Sequence, residues 1–262
     1  MQTQMIVTRS FEVAATLADR APLAARWRDA SSLHSLDHRL SPVATGKWLM
    51  AQTWQHVLFA HWPVQPALIR PMLPDGVEPD TFEHQAWLSV VAFDISDVHL
   101  RGWPALPGIS RFPEINLRTY VRCAGQPGVW FISLDCPNRL AIALARPWYL
   151  LPYRYSPLSL AGGVCTSPVL SARYEPVGDP FYAEPGSLDH WLTERYCYFT
   201  RDSRERLYRC DIHHEQWPLQ PAMASISQNL LVPDRSAPAL QHYVERVDAV
   251  VWPLAPVPPR CA

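Results

Sequence analysis

Short apolar runs broken by polar turns set the rhythm of this chain, and few of them are long enough for a helix. Ala86 to Phe93 (AWLSVVAF) is an unbroken apolar run of strand length and predicts a buried strand. Ile115 to Arg122 and Val129 to Leu134 predict two more, joined through Ala124-Gly125-Gln126-Pro127-Gly128 as a hairpin loop. Gly163 to Tyr174 reads as a further strand. Tyr196 to Thr200 and Glu205 to His213 form a second hairpin across Arg201-Asp202-Ser203-Arg204. Helical signals are fewer. Gln65 to Leu73 predicts a short helix closed by the Pro74-Asp75-Gly76 turn. Pro137 to Trp148 has helical spacing, with Asp135 near its start and Pro137 tolerated in the first turn. Ser187 to Glu194 starts on a serine cap with Asp189 in the first turn. Strands outnumber helices and most connections are hairpin-length, which predicts a β-rich α+β fold built on an antiparallel sheet.

The two ends read differently from the middle. Residues 1–45 look like an appendage: Phe11 to Ala30 has helical spacing (Phe11, Ala14, Leu17, Leu23, Trp27) broken by Pro22, and Ser31 to Thr45 is polar and turn-rich. A docked helix and a partly disordered segment both fit that pattern. One domain is expected over 46–262, its compact part opening at Lys47 with a stretch, Trp48 to Trp62, that mixes apolar residues with His56 and His61. From Asp234 onward the chain is proline-rich and is expected to loop over the surface.

One predicted strand carries a row of polar side chains. Side chains alternate between the two faces of a strand, so Glu114, Asn116, Arg118 and Tyr120 share one face, and Ile115, Leu117, Thr119 and Val121 the other. At ~3.3 Å per residue, Glu114 and Arg118 stand roughly 13 Å apart, too far to pair in one straight strand. Each needs a partner elsewhere or something held between them. In an ordinary antiparallel sheet such a face simply meets water.

Composition narrows the classes. Hydrophobic residues at 48% with 18% charged suffice for a folded core. The 27 prolines disfavour long helices, because each removes a backbone donor and clashes with the preceding turn. A net charge of -1 gives no bulk attraction to nucleic acid or anionic lipid. Lys47 is the single lysine, and the bias to arginine is explained by high genomic GC content or by bidentate contacts to carboxylates and phosphates. Six cysteines, at 123, 136, 165, 197, 210 and 261, show no CxxC pair or ligand-like spacing. The first twenty residues lack a signal peptide's pattern, and no stretch of 18 or more apolar residues is free of charge. A cytoplasmic protein with free thiols, binding neither nucleic acid nor membrane, is expected; a homo-oligomer is compatible with these features. His213-His214-Glu215 and the His56/His61 pair are poorly spaced for chelation, so no metal and no cofactor is expected. Gly162-Gly163 is a turn signal rather than a phosphate loop, and no GxSxG elbow occurs.

The segments FPEINLRTYV, GQPGVWFISLD and IALARPWYLLPY resemble the YqjF-like family of uncharacterised proteins. So do LFAHWPV, RPMLPDGVEPD and AWLSVVAF upstream, and SLDHWLTERYCYF and HHEQWPLQPA downstream; the match spans about residues 47–232 in the same order. That family is similar in turn to the acetoacetate decarboxylase-like superfamily. The resemblance implies a closed, mostly antiparallel barrel around a buried cavity, with a few helices outside, and it turns the Glu114 row toward that cavity. The tryptophans then read as core and cavity wall.

The resemblance also implies which chemistry is missing. In the decarboxylases a strand motif ending in glutamate supplies an acid to the cavity, and Phe112-Pro113-Glu114 resembles it. A later Gly-Arg-Glu…Gly-x-Pro-Lys motif carries the catalytic amine; here the stretch is Ala145-Arg146-Pro147…Leu151-Pro152-Tyr153. Arg146 and Pro152 match, but Tyr153 stands where the lysine would be. A phenol cannot form an imine, Arg154 stays protonated, and Lys47 lies before the core. The expectation is therefore a protein that binds a small carboxylated or carbonyl-bearing molecule through Asn116, Arg118, Tyr120 and Arg146, without Schiff-base decarboxylation. The alternative is a lyase, isomerase or cyclase in which Glu114 is the acid/base and Tyr153 polarises a carbonyl.

Overall fold

The computed structural model describes residues 36–39, 41–233 and 236–258. The sheet opens on β1 (Met50–Val64). A short helix α1 (Pro66–Ile69) and a 3-10 turn (Arg70–Met72) lead to β2 (Val77–Pro79), β3 (Ala86–Leu100), β4 (Phe112–Cys123) and β5 (Gln126–Cys136). Helix α2 (Arg139–Tyr149) precedes four small strands, β6 (Tyr153–Tyr155), β7 (Ser159–Ala161), β8 (Val164–Thr166) and β9 (Leu170–Pro176). Helix α3 (Leu188–Thr193) then gives way to β10 (Cys197–Arg201), β11 (Leu207–His214), β12 (Gln220–Asn229), β13 (Leu240–Val251) and β14 (Ala255–Pro256). No helix among the described residues is long and apolar enough to cross a membrane.

The long strands lie side by side in the order β11–β10–β5–β4–β3–β1–β13–β12, antiparallel except where β5 runs parallel to β10 and to β6. β11 also pairs with β13, from Ile212 opposite Val251 to His214 opposite Ala249, so the first strand of that run touches its seventh. Both faces of the middle strands are buried. Along β1, Leu58, Ala60, Trp62 and Val64 pack outward under a layer formed by β7, β8, β9 and β12. Val57 and Phe59 face the other way, against Val91, Phe93, Val244 and Trp217. A bulge divides β1 at His56, which takes a left-handed conformation (φ 51°) where the register with β3 shifts.

The predicted strands and helices are present, with corrections that have local causes. The Gly163–Tyr174 run is two strands, β8 and β9. Ser167-Pro168 breaks it: the proline cannot donate to a ladder, and the Ser167 hydroxyl accepts from the Leu170 amide at 2.9 Å. The loop between β4 and β5 shrinks to Ala124-Gly125, both with positive φ (49° and 79°), the geometry of a tight primed turn. The cap of α2 is Asn138, whose side chain accepts from the Ala141 amide; Asp135 instead sits in β5, paired with Arg154 at 2.6 Å. The largest correction is the tail. Far from looping over the surface, it contains β13, seated between β1 and β12, with Val244, Ala249 and Val250 fully buried. Prolines at 233, 238 and 253 flank the strand and none lies inside it. The helical spacing from Phe11 to Ala30 lies outside the described residues.

Gly128 shows how closely β5 and β10 approach. A Cβ there would lie 2.7 Å from Phe199 and 2.9 Å from the Cys197 sulfur, both buried. Gly128→Ala is expected to cost about 1–3 kcal/mol through overpacking, read as a lower urea midpoint with an unchanged slope; an unchanged midpoint would show that the contact relaxes freely.

Candidate functional site

Between β1, β3, β4 and β5 on one side and β10 and β11 on the other lies a cavity of about 350 Å³. Its wall is mainly apolar: Trp54, Val57 and Phe59 from β1, Val91, Phe93 and Ile95 from β3, and Phe131 from β5. Helix α2 and the segment between β3 and β4 complete it. The polar groups on this wall are few, as in most sites that orient a small ligand.

Alternation along β4 brings Glu114, Asn116 and Arg118 to the wall. Glu114 is 3% exposed. The Tyr153 hydroxyl donates to its Oε2 at 2.7 Å, and Asn116 Nδ2 donates to its Oε1 at 3.3 Å. Burial pushes the carboxyl up to about 7, against the pull of those two hydrogen bonds and with a small push from Asp135. Tyr153 is raised as well, first by burial and then by Glu114. The Asn116 Oδ1 is buried with no partner among the described residues.

Tyr153 reaches this position through backbone geometry. Helix α2 ends at Leu150 in a left-handed conformation (φ 51°), and β6 then pairs parallel to β5 with Tyr153 beside Leu134. The Arg146 guanidinium donates to the Tyr153 carbonyl through Nε at 3.2 Å and through Nη2. Arg146 is itself exposed on α2 and is absent from the cavity wall, so it ties down Tyr153 rather than facing a ligand.

The polar row divides beyond Asn116. At Arg118 the β4–β5 register shifts. Its guanidinium packs 5.3 Å from the Phe59 ring centre and donates at 3.5 Å to the Leu192 carbonyl, while its Nε has no partner among the described residues. Glu114 and Arg118 form no ion pair, as the strand spacing predicts. Tyr120 shares their face of β4 but is fully buried beyond the cavity. It bonds Ser89 Oγ at 2.7 Å, and Ser89 bonds His61 Nδ1 at 2.5 Å, closing that end with a polar plug.

Other wall residues carried no signal in the sequence. Arg195, between α3 and β10, lines the cavity with its side chain 6% exposed. Its Nη1 donates to Asp80 at 2.8 Å, Asp80 also takes Arg122 at 2.8 Å, and the Arg195 Nη2 has no partner among the described residues. His214 lines the wall against Tyr196 and Trp217, and burial drives its imidazole down to about 3, so it is neutral. Lys47 is exposed ahead of β1 and is absent from the wall. Among the described residues no three His, Cys, Asp or Glu side chains are grouped to hold a metal ion. Cys136, Cys165, Cys197 and Cys210 are buried free thiols, and Cys123 is buried as well.

Comparison with known proteins sets this geometry in context. The DUF2071 model, described as an uncharacterized conserved protein, matches residues 51–249. The uncharacterized protein YqjF of Bacillus subtilis (strain 168) is 41% identical over 228 residues, 81% of this chain and 94% of that protein. An acetoacetate decarboxylase-like enzyme from Sphingomonas wittichii RW1 superposes with a TM-score of 0.53 at 12% identity, over 85% of this chain and 100% of its own. The enduracididine biosynthesis enzyme MppR, complexed with the condensation product of pyruvate and imidazole 4-carboxaldehyde, gives 0.55 at 12% identity over 83% and 92% of the two chains. At that identity the likeness is one of fold.

The burial of Glu114 has a signature that needs no ligand. Its folded value, about 7, lies above the ordinary 4.5, so between those values the native state binds more protons than the unfolded one. Its contribution is most favourable below pH 4.5 and is lost as pH rises through about 7. Glu114→Gln removes that loss. Relative to wild type, the variant should gain stability between pH 5 and pH 8.5 by up to about 3 kcal/mol, measured by urea unfolding at each pH. A difference that stays flat with pH would contradict a desolvated carboxyl.

Proposed function

The chain belongs to the DUF2071 family, and on that premise we propose that it is a small-molecule-binding protein whose cavity takes a carboxylated or carbonyl-bearing molecule without imine chemistry. The observation that carries this reading is the Tyr153 hydroxyl seated on Glu114 inside the cavity. A carboxyl held near neutrality beside a phenol offers both a donor and an acceptor to a carbonyl or carboxyl group. Arg118 and Arg195 on the same wall, each with a nitrogen that has no partner among the described residues, supply positive charge for the ligand's anionic end. The pairing of β11 with β13 supports a closed barrel around this cavity. MppR, with the same overall fold, takes a product formed from pyruvate, a 2-oxo acid, which agrees with this ligand class.

An imine would need a primary amine at the cavity. The single lysine, Lys47, is exposed ahead of the sheet, and Tyr153 occupies the matching motif position. A second reading, lyase, isomerase or cyclase chemistry, is favoured by one observation: a base poised near pH 7 is well matched to removing a proton from carbon next to a carbonyl. Glu114 would take that proton, and the Tyr153 hydroxyl would turn to the carbonyl oxygen.

Three measurements test these readings. Incubation with acetoacetate or pyruvate and borohydride should leave the intact mass unchanged, whereas a trapped adduct would overturn the imine-free assignment. Arg118→Met should weaken binding of a 2-oxo acid at least tenfold, by calorimetry, without lowering the unfolding midpoint. Loss of the substrate's α-proton signal in deuterated water, abolished in Glu114→Gln, would establish the catalytic reading over simple binding.

A further inference from the structure

Four large apolar side chains that belong in a core stand at the cavity's edge instead. Trp103 is 69% exposed, Trp148 54%, Leu106 53% and Leu144 50%. Scattered exposed apolar residues are ordinary, but a contiguous group around a cavity marks a binding surface. Each of the four is also part of the cavity wall. Leu144 and Trp148 lie one turn apart on α2, on the same helix face. Trp103 and Leu106 face the cavity from the segment between β3 and β4.

The interior behind this rim is larger than a short oxo acid needs. At ~30 Å³ per water-sized group, a volume of about 350 Å³ takes about a dozen non-hydrogen atoms, roughly twice what acetoacetate would fill. The polar residues of β4 lie along the inner part of the wall: Glu114 is level with Phe93 of β3, and Arg118 is deeper, level with Ser89. From Phe93 to the end of β3 at Leu100 the wall continues for roughly 20 Å, and the rim residues follow that end. Apolar surface thus connects the carboxyl–phenol pair to the outside.

Resting on the binding function proposed above, we infer that the ligand is an amphiphile: a carboxylate or carbonyl head at Glu114, Tyr153 and Arg118, and an unbranched or aryl apolar tail that leaves between Trp103 and Trp148. The tail is the occupant that covers the rim. The same four side chains form both the exposed surface and the cavity wall, so a ligand reaching out of the cavity dries them without a second macromolecule.

The test uses the full chain and a series of unbranched 2-oxo acids of four, eight and twelve carbons, with the twelve-carbon alcohol as a headless control, each titrated by calorimetry. Affinity should rise about fourfold per methylene until the tail passes the rim, then level off. Leu144→Ser with Trp148→Ser should bring the twelve-carbon acid back toward the four-carbon one. Equal affinity across the series overturns the amphiphile while leaving the binding function standing. Absence of binding by every acid removes the binding function itself, and an alcohol as tight as its acid removes the head-group assignment. If the double variant instead changes the sedimenting mass and leaves the chain-length dependence intact, the rim is a contact between copies and the inference fails.

Discussion

Strands β1 and β3 have no wet face over most of their length, and the architecture follows from that constraint. Apolar side chains on both sides of a strand must be dried twice. Outward, the small strands β7 to β9 with β12 cover Leu58, Ala60 and Trp62. Inward, the sheet has to curve until its own far strands face β1, which the pairing of β11 with β13 accomplishes. A curved sheet lined by large side chains cannot fill its middle completely, and the space left over is the cavity. Fold and site are therefore one consequence of two-sided burial rather than separate features.

The charges placed in that dry interior are treated unequally. Asp80 is as buried as Glu114, yet it is held by two arginines, Arg122 and Arg195. Asp135 has Arg154. Among the described residues Glu114 has only neutral donors, Tyr153 and Asn116, and burial raises its carboxyl to about 7. Meanwhile Arg118 bonds a backbone carbonyl, and its Nε has no partner among the described residues. Among the described residues, an acid without a counter-charge and a guanidinium without a carboxylate thus share one wall, an arrangement that costs stability.

The strand period makes Glu114, Asn116 and Arg118 legible in the sequence, because alternation fixes which face a side chain takes. It does not fix depth. Tyr120 obeys the same alternation and still falls beyond the cavity, in the plug with Ser89 and His61. Arg146 was placed by its motif, but its side chain turns to a backbone carbonyl that no motif records. Arg195 had no local sign at all, since its partner Asp80 is 115 residues earlier. β1 gives no strand signal because a strand buried on both faces loses the period-2 pattern, and the prolines around β13 mask it. What the sequence withheld was in each case a long-range partner or a position along the sheet.

The placement of Tyr153 is set by the main chain around it. The residue is held by the left-handed end of α2, by the parallel ladder of β6 on β5, and by Arg146 on its carbonyl. All of these grip the main chain. Whatever side chain stands at 153 is therefore aimed at Glu114. An amine there would face a carboxyl and carry charge. A phenol shares a proton with it instead, and burial favours the neutral form of both groups. The main-chain grip thus holds a proton-sharing carboxyl–phenol pair on the cavity wall.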